Sequence, residues 1–265
     1  MKNIIYISIL LLVMCMSACG PSQSELAAES YKSANIFLSK QDTTSAIETI
    51  NIALKKYSDA EKMVGKLKEL KGNIYTDICN QLNHSLDSCD MIIRQKMKDF
   101  VVEERPFDKK KWYVYKRQTF KRSWDRSFLE VNLNEIGNIY ITSNYIGDKS
   151  LNHTAVRVYD KELSCKTPKV DLDRIENHHS DFMDSKWEKV SYKNGASDEL
   201  IKFIASHPGR SLKAVFLGNR YYYILLEKYD IEAVVKSYEL SLILKKREQF
   251  KKRLHNVDKR ICTDC

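Results

Sequence analysis

The sequence predicts an α+β protein in which an N-terminal helical hairpin or bundle precedes an antiparallel-sheet domain closed by a C-terminal helix. Three observations lead there. No proline lies between Pro21 and Pro106, and apolar residues recur over that stretch at steps of three and four. Beyond Pro106, short runs rich in Val, Ile, Tyr, Phe and Thr alternate with turn residues. Ile231, Val234, Val235, Tyr238 and Leu242 then return to helical spacing ahead of a basic tail. With 265 residues, 43% of them apolar and 30% charged, the chain can bury a core and is too charged for a polytopic membrane protein.

Residues 1–18 have the layout of a secretory signal. Lys2 supplies the positive charge, Ile4 to Val13 the apolar run, and Ser17 and Ala18 the small residues before Cys19. Met16-Ser17-Ala18-Cys19 resembles the lipobox of bacterial lipoproteins. The resemblance implies cleavage before Cys19, acylation of its thiol, and a cell-envelope protein anchored to a membrane and facing the periplasm or the exterior. More than one acyl chain makes such anchoring stable. An ordinary secretory signal with an unmodified Cys19 is the alternative. Residues 19–24 form the lipidated cysteine and its tether.

Residues 25–105 read as a helical region. Ala34, Ala46 and Ala53 allow two antiparallel helices to approach closely, with Phe37 and Ile50 between them and Lys40-Gln41-Asp42 at the turn. This segment, over residues 27–58, resembles a tetratricopeptide repeat; a plain helical hairpin packed through small residues accounts for the same pattern. A single apolar stripe then runs from Met63 through Leu67, Leu70, Ile74, Ile78, Leu82, Leu86, Cys89 and Ile93 to Met97, on one long helix or on two stacked helices, with Asn83-His84-Ser85 the place where a break would fall. The texture changes at Glu103-Glu104-Arg105-Pro106, which sets the expected domain boundary.

Residues 106–254 read as the sheet domain. Strands are expected at Trp112–Phe120, Phe128–Leu133, Asn138–Tyr145, Ala155–Tyr159 and Trp187–Tyr192. A short helix follows, capped by Ser197 and stopped by Pro208-Gly209. Leu212–Leu217 and Tyr221–Leu226 flank Gly218-Asn219 as a two-residue hairpin turn. The closing helix is expected over Ile231–Arg253, and residues 255–265 form a basic tail with a CxxC. The runs Trp187–Tyr192, Leu200–Ile204, Lys213–Tyr223 and Ala233–Leu240 resemble an uncharacterised β-rich domain of bacterial secreted proteins and lipoproteins, which implies a fold and no residue roles.

Chemistry is sparse. No GxGxxG, GxxxxGK[ST] or GxSxG occurs, and the sequence calls for no cofactor, no metal and no catalytic residue. Cys79, Cys89, Cys165, Cys262 and Cys265 can pair in an oxidising envelope, and Cys79 can meet Cys89 only if the helix breaks between them. Asp171, Asp173, Glu176, His178, His179, Asp181 and Asp184 crowd one segment; it reads either as a solvated loop or as the carboxylate–histidine centre of an envelope hydrolase. Lys109 to Arg126 interleaves eight basic residues with aromatics. Export argues against nucleic acid, leaving a strand pair with basic outer faces or a contact to an anionic glycan or lipid. Lys245 to Arg260 carries eight basic and two acidic residues, a solvated helix end or a site for anionic head groups.

Tyr221, Tyr222 and Tyr223 are expected to pack. The rival is an aromatic platform for a sugar or peptide formed by Tyr221 and Tyr223 with Arg220 at the turn, and these three are the candidate ligand surface. The reading of the whole is a lipid-anchored envelope protein of binding or scaffolding type. Its partners are the membrane, through the anchor, and an unidentified protein or glycan. The alternatives are the hydrolase just described and a periplasmic assembly factor that grips its partner with the repeat-like hairpin.

Overall fold

The computed structural model describes residues 20–106, 108–182 and 184–264. The signal segment and Cys19 lie outside the described residues, as does Cys265, so the CxxC is not described as a pair. Two compact units emerge. One comprises 20–83 with 254–264, and the other is His84–Arg253.

In the first unit, α1 (Gln23–Ser39) opens on a capping box: Ser22 Oγ accepts from the Glu25 N–H, and the Glu25 carboxylate accepts from the Ser22 N–H. The helix therefore begins at Gln23, inside the 19–24 segment that composition reads as flexible. α2 (Thr43–Lys56) starts at Asp42, whose Oδ1 accepts from the Ser45 N–H at 3.0 Å. Ala27, Ala34, Ala46 and Ala53 are fully buried or nearly so, which lets α1 and α2 pack closely as an antiparallel hairpin. Ile50 fills the seam, and Leu67 and Ile74 from α3 (Glu61–Lys96) complete the cluster. α3 runs unbroken through Asn83-His84-Ser85, so the stripe belongs to one long helix and not to two stacked ones, because it keeps one helical phase across those polar residues. Cys79, Cys89 and Cys165 are free thiols.

The second unit holds β1 (Phe100–Arg105), β2 (Asp108–Tyr115), the short α4 (Phe120–Ser123), β3 (Phe128–Asn134), β4 (Ile139–Gly147), β5 (Ala155–Tyr159), β6 (Ser164–Lys166), β7 (Asn177–Phe182), β8 (Ser185–Tyr192), α5 (Asp198–Ala205), β9 (Lys213–Leu217), β10 (Tyr221–Leu225) and α6 (Lys228–Asp264) as far as Arg253. The strands form two antiparallel sheets, β1-β2-β3-β4-β8-β7 and β10-β9-β5-β6. Leu129, Val131, Ile141, Val190 and Tyr192 from the first share one core with Val156, Val158, Ala214 and Phe216 from the second, and with Leu200, Ile201 and Ile204 of α5. The α+β architecture read from the sequence is the one present.

Several local expectations are corrected. The sequence puts the boundary at Pro106, whereas the units divide at Asn83/His84 and Arg253/Leu254. Composition marks where strands begin, but Ile93 is already part of the sheet core with Phe100. β2 ends at Tyr115, because Gln118 replaces it as the partner of β3: its Oε1 accepts from the Val131 N–H at 3.2 Å. Ser197 precedes α5 without capping it. Its buried Oγ instead accepts from the Ile141 N–H and donates to the Tyr192 carbonyl. The β9–β10 turn has three residues, with Leu217 opposite Tyr221. Gly218 is required there, since a Cβ would stand 2.3 Å from the Leu151 carbonyl oxygen. On α6 the buried line is Val234, Ser237, Leu240, Ser241 and Leu244, and Leu242 is 48% exposed.

Candidate functional site

Strand alternation divides the six-stranded sheet into two unlike faces. Leu129, Val131 and Leu133 of β3 point to the core, so Phe128, Glu130 and Asn132 take the other side. On β4 the same split places Ile139, Ile141 and Ser143 against Tyr140, Thr142 and Asn144. On β8 it places Glu188 and Val190 against Trp187, Lys189 and Ser191. The register lines these up in rows: Glu130 with Thr142 and Ser191, and Phe128 with Asn144 and Lys189. The result is a cleft of about 450 Å³ over the polar face. That is within the range of small-ligand sites.

Its floor is polar yet sheltered. Asn132, Thr142 and Asn144 are buried, and each is held by a neighbour. Asn132 Nδ2 donates to Thr142 Oγ1 at 3.1 Å, Thr142 and Ser191 share a hydroxyl hydrogen bond at 2.9 Å, and Asn144 Nδ2 donates to Glu130 Oε2 at 3.1 Å. Arg105 donates to Asn132 Oδ1 at 2.7 Å and lies 4.0 Å from the Trp112 ring centroid, so its guanidinium is fixed at the edge of the floor. Burial pushes the Tyr140 hydroxyl upward in pKa, and Arg105 opposes this.

At the other end Arg126 forks onto Asp230, both contacts at 2.8 Å, over the Phe128 ring. Gln118 Nε2 donates to the same Asp230 carboxylate. Trp124, half exposed, and Ile175, 91% exposed, stand at the rim, while Trp187 is half-buried in the wall. Ser123 Oγ is buried beside them, with no hydrogen-bond partner among the described residues. An ordered floor of Asn, Thr, Ser, Glu and Arg bordered by indole and phenol rings offers donors, acceptors and stacking surfaces in one place. It fits a polar ligand with apolar C–H faces.

A second constellation lies on the core face of the same sheet. Ser143 Oγ is 2.8 Å from His153 Nε2, and His153 Nδ1 is 2.6 Å from Glu188 Oε2. The spacing is that of a nucleophile, base and carboxylate. Ser143 and His153 are fully buried, however, and Tyr192 OH at 3.2 Å and the Val190 carbonyl at 3.5 Å close around Ser143. No substrate carbonyl has room to reach it. The network instead ties down the loop after β4, because Glu188 also accepts from the N–H groups of Leu151, Asn152 and His153. Burial pushes the Glu188 carboxyl up, but the hydrogen bonds from His153 and from the backbone outweigh it and hold the pKa at about 2.

The sequence-derived candidates fall out as follows. The 171–184 segment does not converge into one centre. His178 is exposed beside the cleft, whereas His179 lies on the opposite face, 3.9 Å from Glu188. Asp181 pairs with Lys186, and Asp171, Asp173 and Asp184 are exposed. Among the described residues no group of three His, Cys, Asp or Glu could hold a metal ion. Within Lys109–Arg126, Trp112 is buried, and Trp124 and Arg126 join the cleft. The packing expected of the three tyrosines applies to Tyr222, which meets Tyr145 at 5.0 Å. It fails for Tyr221 and Tyr223, which are 63% and 58% exposed on the edge strand β10, next to Arg220. That surface belongs to the other sheet. The sequence reading does not single out the cleft, although the alternation of Leu129, Val131 and Leu133 with Glu130 and Asn132 carries its signature. Among the described residues no helix is long and apolar enough to cross a membrane. Compared with known families, with curated proteins and with solved structures, the chain shows no match.

Proposed function

We propose that this is a lipid-anchored envelope protein of binding type, held to a membrane through Cys19, whose ligand is a glycan seated in the cleft of the six-stranded sheet. The observation that carries the binding reading is the sheltered polar floor of Asn132, Thr142 and Asn144 beneath Trp124 and Trp187. Sugar hydroxyls suit planar amide, carboxylate and guanidinium partners, and sugar C–H faces suit indole rings. Charges of both signs in the cleft, among them Arg105, Lys189, Glu103 and Glu130, favour a neutral sugar over a strongly acidic one.

Two experiments test the two halves. Cys19→Ser should give an uncleaved or a soluble protein, and a processed Cys19→Ser form that stays in the detergent phase refutes the anchor. Trp124 and Trp187 line the cleft, so intrinsic fluorescence titrated with chitotetraose, cellotetraose and maltotetraose reports on it. Trp124→Ala should weaken the best of these by about three- to tenfold, in line with the loss of one stacking contact. A fluorescence response unchanged by Trp124→Ala and Asn132→Ala, or no response to any of the three sugars, removes the glycan reading.

A further inference from the structure

The outer face of the four-stranded sheet has its own composition. β10 is an edge strand, paired to β9 alone, with Tyr223 opposite Val215 and Leu225 opposite Lys213. β9 pairs Val215 with Arg157 of β5, and β5 pairs Arg157 with Lys166 of β6. Strand alternation therefore brings Tyr221, Tyr223, Leu225, Lys213, Arg157 and Lys166 to one face, around Val215 and Ala155, which are themselves buried between them. The first three are 63%, 58% and 53% exposed, and the three cations are exposed with them. Arg220 extends the set at the turn. None of the four strands contains an Asp or a Glu.

Soluble proteins blunt an edge strand with charge on the strand itself, and β10 (Tyr-Tyr-Tyr-Ile-Leu) carries none. These strands supply no carboxylate to offset the cations. Tyrosine rings and a leucine beside uncompensated Lys and Arg instead match a bilayer interface: the phenols lie at head-group level, the leucine reaches the acyl boundary, and the cations meet lipid phosphates. We propose that this face docks on an anionic phospholipid surface. The proposal stands apart from the glycan cleft and does not require the Cys19 anchor.

The test uses the chain from Gly20 onward, which carries every described element, in co-sedimentation with vesicles of phosphatidylcholine alone or mixed equally with phosphatidylglycerol. Binding to the anionic vesicles is expected, with weak binding to phosphatidylcholine and a marked loss between about 50 and about 500 mM salt. Tyr221→Ser/Tyr223→Ser and Arg157→Glu/Lys213→Glu should each lower the partition coefficient roughly tenfold or more, with thermal unfolding unchanged because all four side chains are exposed. Lys251→Glu/Lys252→Glu, in the basic stretch of α6, should lower it by no more than about twofold. Equal binding to both vesicle types overturns the proposal, as does wild-type binding by the face variants. So does concentration-dependent dimerisation abolished by Tyr221→Ser/Tyr223→Ser with vesicle binding intact, which would assign the face to a second copy of the chain.

Discussion

Glu188→Gln probes the most constrained charge in the sheet unit. The carboxylate is 1% exposed and accepts from three consecutive backbone N–H groups as well as from His153 Nδ1. The glutamine has nearly the same shape, and its amide oxygen can replace Oε1 opposite Leu151 and Asn152. Its NH₂ then faces the His153 N–H, leaving a buried backbone donor without an acceptor, at a cost of about 1–3 kcal/mol. The charge term gives a similar figure. The folded pKa of about 2 lies below the ordinary 4.5, so ionisation of Glu188 contributes roughly 3 kcal/mol at neutral pH. Because the folded value is depressed, that stability is complete above about pH 4.5 and is lost as the pH falls towards 2. Glu188→Gln should therefore destabilise the sheet unit by about 3 kcal/mol at pH 7, and the gap to wild type should narrow by more than half near pH 2.5. Urea unfolding followed by tryptophan fluorescence measures this in the sheet unit alone, since Trp112, Trp124 and Trp187 all lie there. A variant within about 0.5 kcal/mol of wild type at pH 7, or a gap that does not change with pH, refutes the assignment of Glu188 as an ionised lock on the 151–153 backbone.

Leu240→Ala should cost about 2–5 kcal/mol in the same assay and Leu242→Ala under about 0.5, since Leu240 is fully buried and Leu242 is 48% exposed; equal effects would mean that α6 presents another face. Gly218→Ala should destabilise by about 1–3 kcal/mol, because its Cβ meets the Leu151 and Asn152 carbonyls, whereas Gly209→Ala, in open space, should leave the urea midpoint unchanged. Burial and the neighbouring Asp258 raise the Cys79 thiol pKa, so Cys79 should react with a disulfide reagent at pH 7.5 more slowly than a free model thiol. A rate equal to the model thiol's would contradict that environment.

Periodicity alone determined the classes of element and most of their order. The small residues at 34, 46 and 53 mark the hairpin because only alanine-sized side chains let two helices come that close. The alternating runs mark β3, β4, β5 and β8 because one face of each meets apolar neighbours. Local pattern could not show which distant groups share a space, and the tertiary structure decided that. Ser143, His153 and Glu188 carry no motif spacing; pairing of β4 with β8 and the turn after β4 bring them within hydrogen-bond reach. The cleft likewise exists only because β3, β4 and β8 lie side by side, so that single polar positions on each strand become one floor. The tyrosine run shows the same limit. Alternation fixes that Tyr221 and Tyr223 share a face, but whether that face is covered depends on what packs over it. The sheet order, which leaves β10 at the edge, is set by long-range pairing that the run of tyrosines does not encode.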